Sequence, residues 1–230
     1  MIPEEVRVIA LDAAGTILEP RPAVHEAYCQ VAQSFGFHLD PQEIKKRFPE
    51  AMRTFFPLAW QPEQAQTDHI QQWNAWQGLV TQVLGEIPAN QIEPVFHALW
   101  EYFRQASHWH VYPDVEPTLK ALKQRGYILC VLSNFDQRLY DIASQCPELA
   151  TIEHWFASVD VGHQKPCASF FRTIEQRLGY ASHQFLMVGD SFEADYQGAR
   201  NADWHARWLQ RDASQQPLQD VATIHTLSEL

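Results

Sequence analysis

This chain contains no Cys-x-x-Cys pair. Its four cysteines, Cys29, Cys130, Cys146 and Cys167, are scattered along it. That spacing excludes a thiolate zinc site or a vicinal redox pair as the organising chemistry. Single cysteines in apolar surroundings suit a reducing compartment. No apolar run approaches the ~18 residues that a membrane-crossing helix needs. The first residues carry no basic-then-apolar signal. The expected location is therefore the cytoplasm, with no membrane partner. Internal repeats and low-complexity tracts are also missing. Basic residues are few, with 17 Lys and Arg against 28 Asp and Glu and a net charge of −11. Phosphate contacts need Lys and Arg, so nucleic acid is excluded as a general partner.

What is present is material for a core. The chain has 230 residues, 46% of them apolar and 12% aromatic, which is enough to bury a substantial interior. Val6, Val8, Ile9, Ala10 and Leu11 form a short run rich in β-branched residues and read as a buried parallel strand. The run stops at Asp12, with Gly15 and Thr16 just behind. A carboxylate at the C-terminal end of such a strand lies where open α/β sheets bind ligands. Taken alone, Asp12 reads equally well as a turn residue.

From 20 to 112 the pattern is helical. Val24, Ala27, Tyr28, Val31 and Phe35 recur at helical spacing. Asp40, Pro41 and Glu43 make a helix start, with Asp40 as N-cap and Glu43 reaching back. Two more helices follow, around 70–84 and 92–103. Five of the eight tryptophans lie in this insert: Trp60, Trp73, Trp76, Trp100 and Trp109. They read as bundle core or an oligomer contact ahead of a pocket lining. His108 and His110 lack a nearby third ligand and read as part of a linker.

After 113, helix and strand alternate. Strands are expected at 127–132, 156–161, 185–188, 205–209 and 221–224, and a helix over 195–201. This alternation predicts a parallel sheet with helices on both faces. The fold class is α/β: a Rossmann-like core of 1–19 and 113–230, with an all-helical domain of 20–112 inserted after the first strand.

The expected strand ends bring Asp12, Ser133, Lys165 and Asp190 to one sheet edge. Asp12 and Asp190 suit a hard cation such as Mg2+. Lys165 and Ser133 suit the oxygens of a phosphoryl group as charge develops on them. Asp12 suits nucleophilic attack and an acyl phosphate. Each residue also has an ordinary reading as turn, cap or surface group, but their joint occurrence in this order does not.

The stretches 11–16 (Leu-Asp-Ala-Ala-Gly-Thr), 132–134 (Leu-Ser-Asn), 165–166 (Lys-Pro) and 188–195 (Val-Gly-Asp-Ser-Phe-Glu-Ala-Asp) resemble the haloacid dehalogenase-like hydrolase superfamily. The helical insert is similar to its cap. The resemblance implies Asp12 as nucleophile and metal ligand. Ser133, Asn134 and Lys165 complete the catalytic set. The Ala14 carbonyl and Asp190 are the further metal ligands, with Thr16, Ser191 and Asp195 supporting them. It also implies a small, phosphorylated substrate.

One position departs from the pattern. Phosphatases of the superfamily carry an acid/base Asp where this chain has Ala14. That departure leaves other readings open: a binding or scaffold protein on the same fold, a phosphonatase-like hydrolase, or a dehalogenase-like one. A phosphonatase needs a cap lysine, and 20–112 offers only Lys45 and Lys46. A dehalogenase needs no Mg2+, which leaves the acidic motif unexplained. Sequence alone leaves the substrate and the oligomeric state open.

Overall fold

The computed structural model describes residues 1–212 and 218–230. Six strands form one parallel sheet in the order β5-β4-β1-β6-β7-β8. They are β1 (Val8–Leu11), β4 (Ile128–Ser133), β5 (His154–Ala157), β6 (Phe185–Gly189), β7 (His205–Leu209) and β8 (Thr223–Ile224). β1 is central. Ala10 registers with Cys130 on one side and Met187 on the other. All four β1 residues are fully buried, as expected of a strand covered on both faces.

Side chains alternate across a strand with period two. Val8, Ala10, Cys130, Leu132, Phe185 and Met187 therefore share one face. They pack there with Phe170, Phe171, Ile174 and Trp204. Phe170, Phe171 and Ile174 come from α9 (Ala168–Leu178). Burial pushes the Cys130 thiol pKa up, and all four cysteines are free.

The chain divides into two compact units. The first is 1–19, 58–68 and 111–230, and the second is 20–57 and 69–110. The observed second unit therefore lacks 58–68 and 111–112 of the expected insert of 20–112. Segment 58–68 includes the single turn α3 (Pro62–Ala65) and joins the loop before α9. Gln164 N donates to Ala65 O at 3.0 Å, Thr67 N donates to Gly162 O at 3.2 Å, and Ala59 and Ala65 pack with Cys167.

The second unit holds α1 (Val24–Ser34), α2 (Pro41–Phe55), α4 (His69–Val83) and α5 (Ile92–Tyr102). Asp40 caps α2 as expected, accepting from Gln42 N at 2.9 Å with Pro41 in the first turn. Glu43 does not reach back and instead faces Arg47 at 3.7 Å. Trp73 and Trp100 lie in the bundle core, ring centroids 4.6 Å apart, whereas Trp60 is exposed and belongs to the first unit.

Three expected elements differ. Residues 109–111 are not linker but strand β3 (Trp109–Val111), paired with β2 (Leu18–Pro20). The strand expected over 156–161 stops at Ala157 and gives way to the short helix α8 (Ser158–Val161), closed by Gly162 at φ +85°. The helix expected over 195–201 begins earlier, as a π-helical turn (Phe192–Gln197) that runs into α10 (Gly198–Asn201). Among the described residues, no helix is long and apolar enough to cross a membrane.

Candidate active site

Asp12 follows β1 directly, and its amide N–H donates to Val188 O on β6 at 2.9 Å. The chain then turns sharply. Thr16 and Ile17 donate backbone N–H groups to Ala13 O, and Gly15 N donates to Leu18 O at 2.8 Å. Gly15 has φ +86°, and a Cβ there would run into the Asp190 carboxylate. This position therefore needs glycine for both its backbone and its neighbour. Ala14 is half-buried in the same turn and presents a methyl group.

Asp190 follows β6 directly, and Ser133 is the last residue of β4. Lys165 was expected at a strand end. It lies instead in the loop before α9, because the chain leaves β5 eight residues earlier. Its side chain is buried, at 2% exposure. Lys165 Nζ donates to Asp12 Oδ1 at 2.7 Å, Asp195 Oδ1 at 2.6 Å and Leu132 O at 2.6 Å. These three bonds use every donor of the ammonium. Ser133 Oγ donates to the same Asp12 Oδ1 at 3.2 Å.

Asn134 meets the Lys165 main chain. Its Nδ2 donates to Lys165 O and its Oδ1 accepts from Lys165 N, both at 2.8 Å. The amide pairs with the Lys165 main chain as a neighbouring strand would. Asn134 thereby holds the loop that delivers the ammonium.

The π-helical turn brings Asp195 inward. Ser191 caps it, with Oγ accepting from Ala194 N at 3.1 Å, and Ser191 N donates to Asp195 Oδ2 at 3.0 Å. Thr16 Oγ1 donates to Asp190 Oδ1 at 3.4 Å and accepts from Asp190 N at 3.1 Å. Trp208 Nε1, from β7, donates to Asp190 O at 2.9 Å. Trp208 was not anticipated from sequence; nothing in its local pattern sets it apart from a strand aromatic.

Asp12, Asp190 and Asp195 offer carboxylate oxygens all within 4.8 Å of one another. Three carboxylates beside one ammonium leave two negative charges uncompensated when all are ionised. Burial raises the Asp195 pKa to about 6, with Lys165 opposing and Asp12 adding to the rise. Loss of hydration, then the charges of Asp12 and Asp195, push Asp190 up to about 7. Asp190 itself remains exposed. Burial alone would lower the Lys165 pKa, but Asp12 and Asp195 outweigh it and hold it above the usual value. A hard divalent cation with oxygen ligands fits this donor set and cancels the excess charge. No other group of three or more candidate ligands occurs among the described residues.

Gly189 makes the crowding possible, since a Cβ there would meet the Asp195 carboxyl and its Cβ. Gly189→Ala is expected to destabilise the fold by about 1–3 kcal/mol through overpacking. A urea titration measures the loss.

A model of the haloacid dehalogenase-like hydrolase family matches residues 6–203. The chain belongs to the haloacid dehalogenase-like hydrolase family. Among curated relatives, haloacid dehalogenase-like hydrolase domain-containing protein 3 of Danio rerio is 29% identical over 228 residues, covering 98% of this chain and 93% of the relative. The Mus musculus protein of the same name is 30% identical over 214 residues, covering 88% and 81%. Among solved structures, the magnesium-bound HAD-hydrolase YfnB from Bacillus subtilis superposes with a TM-score of 0.75 at 19% identity, covering 97% of this chain and 96% of that one. The chain is thus a hydrolase of the fold expected from its sequence, with the family's Asp cluster in place.

Proposed function

We propose that this hydrolase is a Mg2+-dependent phosphatase acting on a small phosphorylated molecule through an aspartyl-phosphate intermediate on Asp12. The observation that carries the reading is the carboxylate cluster around Lys165, with its two uncompensated charges. Asp12, Asp190 and the Ala14 carbonyl would hold the ion, and Asp195, paired with Lys165, supports them. Bound there, Mg2+ supplies positive charge against the phosphoryl oxygens and reduces their repulsion by Asp12.

The remaining work falls to the chain. Asp12 Oδ1 is occupied by Lys165 and Ser133, while Oδ2 accepts no hydrogen bond from the described residues. Oδ2 is the free nucleophile. It forms a bond to phosphorus as the phosphorus–oxygen bond to the leaving group breaks, and the leaving group takes that electron pair. The Lys165 charge offsets the negative charge that builds on the transferred group, and the Ser133 hydroxyl reaches that group only by turning from Asp12 Oδ1. Water then attacks phosphorus, the bond from phosphorus to Asp12 Oδ2 breaks with its electron pair returning to the carboxylate, and the water's proton passes to the departing phosphate or to solvent. Ala14 supplies no proton to the leaving group, so substrates with good leaving groups are favoured.

Four free cysteines fit action in the reducing cytoplasm. The test is hydrolysis of acetyl phosphate and p-nitrophenyl phosphate with Mg2+ and with EDTA. Metal-dependent release of phosphate from either is expected. Its absence from both, with the protein folded, would overturn the reading.

A further inference from the structure

Arg211 lies just beyond β7, close to the Thr16 turn, and forms no part of the motifs read from sequence. Its Nε and Nη2 donate to Thr16 O at 3.1 and 2.6 Å. Its Nη1 donates to Asp114 Oδ2 at 3.2 Å, and Nη2 lies 3.1 Å from Asp114 Oδ1. The guanidinium rests on the Tyr112 ring, 3.8 Å from its centroid. Asp114 Oδ2 is fixed in turn by Thr226 Oγ1 and Leu227 N, each at 2.7 Å. The fork is therefore built on an immobilised base.

Thr16 is wholly buried. Among the described residues its carbonyl takes hydrogen bonds from Arg211 alone. A buried carbonyl without a donor is costly, so this pair of bonds fixes the orientation of the Thr16 peptide. The same residue's hydroxyl makes both contacts to Asp190, one to its carboxylate and one to its amide. A continuous path runs from Asp114 through Arg211 and Thr16 to the exposed carboxylate of the cluster.

We infer that Arg211 is a positioning residue for the cation site: it holds Thr16 so that Thr16 can aim Asp190. The inference rests on the metal reading above. It concerns a residue that touches neither substrate nor ion. Partners one step behind a metal ligand commonly control affinity by 10–100-fold.

The experiment titrates Mg2+ into metal-free protein by calorimetry. Arg211→Ala, which acts through Thr16, is expected to raise the dissociation constant about tenfold, the low end of the range for a ligand's direct partner. Arg211→Lys, which keeps the charge but not the fork, recovers part of that loss. Thr16→Val weakens binding too. The double variant Arg211→Lys/Thr16→Val is no weaker than the worse single one, because both act on one path. A merely structural role lowers thermal stability while leaving the dissociation constant in place. Constants within twofold of wild type in Arg211→Lys and Arg211→Ala overturn the inference. If Arg211→Ala does not fold, Arg211→Lys and its coupling to Thr16→Val decide, and additive effects overturn it.

Wild-type protein that takes up no Mg2+ sinks the metal reading separately. Amide exchange in metal-free protein then judges the positioning role. Residues 190–195 should exchange about tenfold faster in Arg211→Lys, with 129–132 unchanged. Equal exchange in 190–195 overturns it.

Discussion

Ala14→Asp should raise turnover of alkyl phosphate monoesters by about 10²–10⁴-fold and leave acetyl phosphate turnover nearly unchanged. An alkoxide leaving group needs a proton as the bond breaks, whereas acetate leaves without one. The restored carboxyl supplies that proton, equivalent to about 3–5 kcal/mol of barrier. The backbone accommodates the change: Ala14 is not among the non-glycine residues with positive φ, and its position in the turn is half open. Initial rates on an alkyl phosphate and on acetyl phosphate, for both proteins, check it. Equal rates for the two proteins on the alkyl substrate would show that the missing acid is not what limits this enzyme.

The features legible in the sequence were those with a local signature. Buried strands announce themselves as β-branched runs, and β1, β4 and β6 fall within a residue or two of where their runs place them. Asp12, Ser133 and Asp190 then follow from strand ends alone. Lys165 shows the limit of that logic. Its chemistry was legible, but the path to it was not, because Val159 and Val161 look like strand and fold into the short helix α8. Apolar β-branched residues serve a buried helical turn as well as a strand, and four residues show no periodicity to separate them. Asn134 was legible as polar and near the site. That both ends of its amide pair with the Lys165 backbone depends on chain segments 31 residues apart meeting, which no local pattern encodes. Arg211 is hidden for the same reason, at a sequence separation of 195 from Thr16. The placement of 58–68 with the core unit rests on backbone hydrogen bonds, which any residue except proline can donate, and on the packing of Ala59 and Ala65 with the distant Cys167.

Asp190→Asn should abolish metal-dependent turnover and at the same time stabilise the metal-free protein at pH 8. Asparagine keeps the oxygen that accepts from Thr16 and removes one charge from a cluster that holds too many. The sign follows from linkage. Burial and the charges of Asp12 and Asp195 push the Asp190 pKa from its ordinary 3.8 up to about 7, so the folded state binds its proton more tightly than the unfolded chain does. Stability therefore falls as pH rises from the unfolded pKa through the folded one, and the full penalty stands above about 7. Because Asp190 is open to solvent, screening reduces the nominal cost to about 1–2 kcal/mol. Relief of that cost moves the melting midpoint up by roughly 2–8 °C in a chain of this size. At pH 4, where Asp190 is largely protonated in the fold, the variant gains little. Mg2+ should raise the wild-type midpoint at pH 8, since a ligand that binds only the folded state stabilises it. The same addition should leave Asp190→Asn almost unmoved. Thermal melts at both pH values, with and without Mg2+, separate these effects. A variant less stable than wild type at pH 8 without metal would mean that Asp190 is a net support of the fold, and that its charge is offset by something other than a cation.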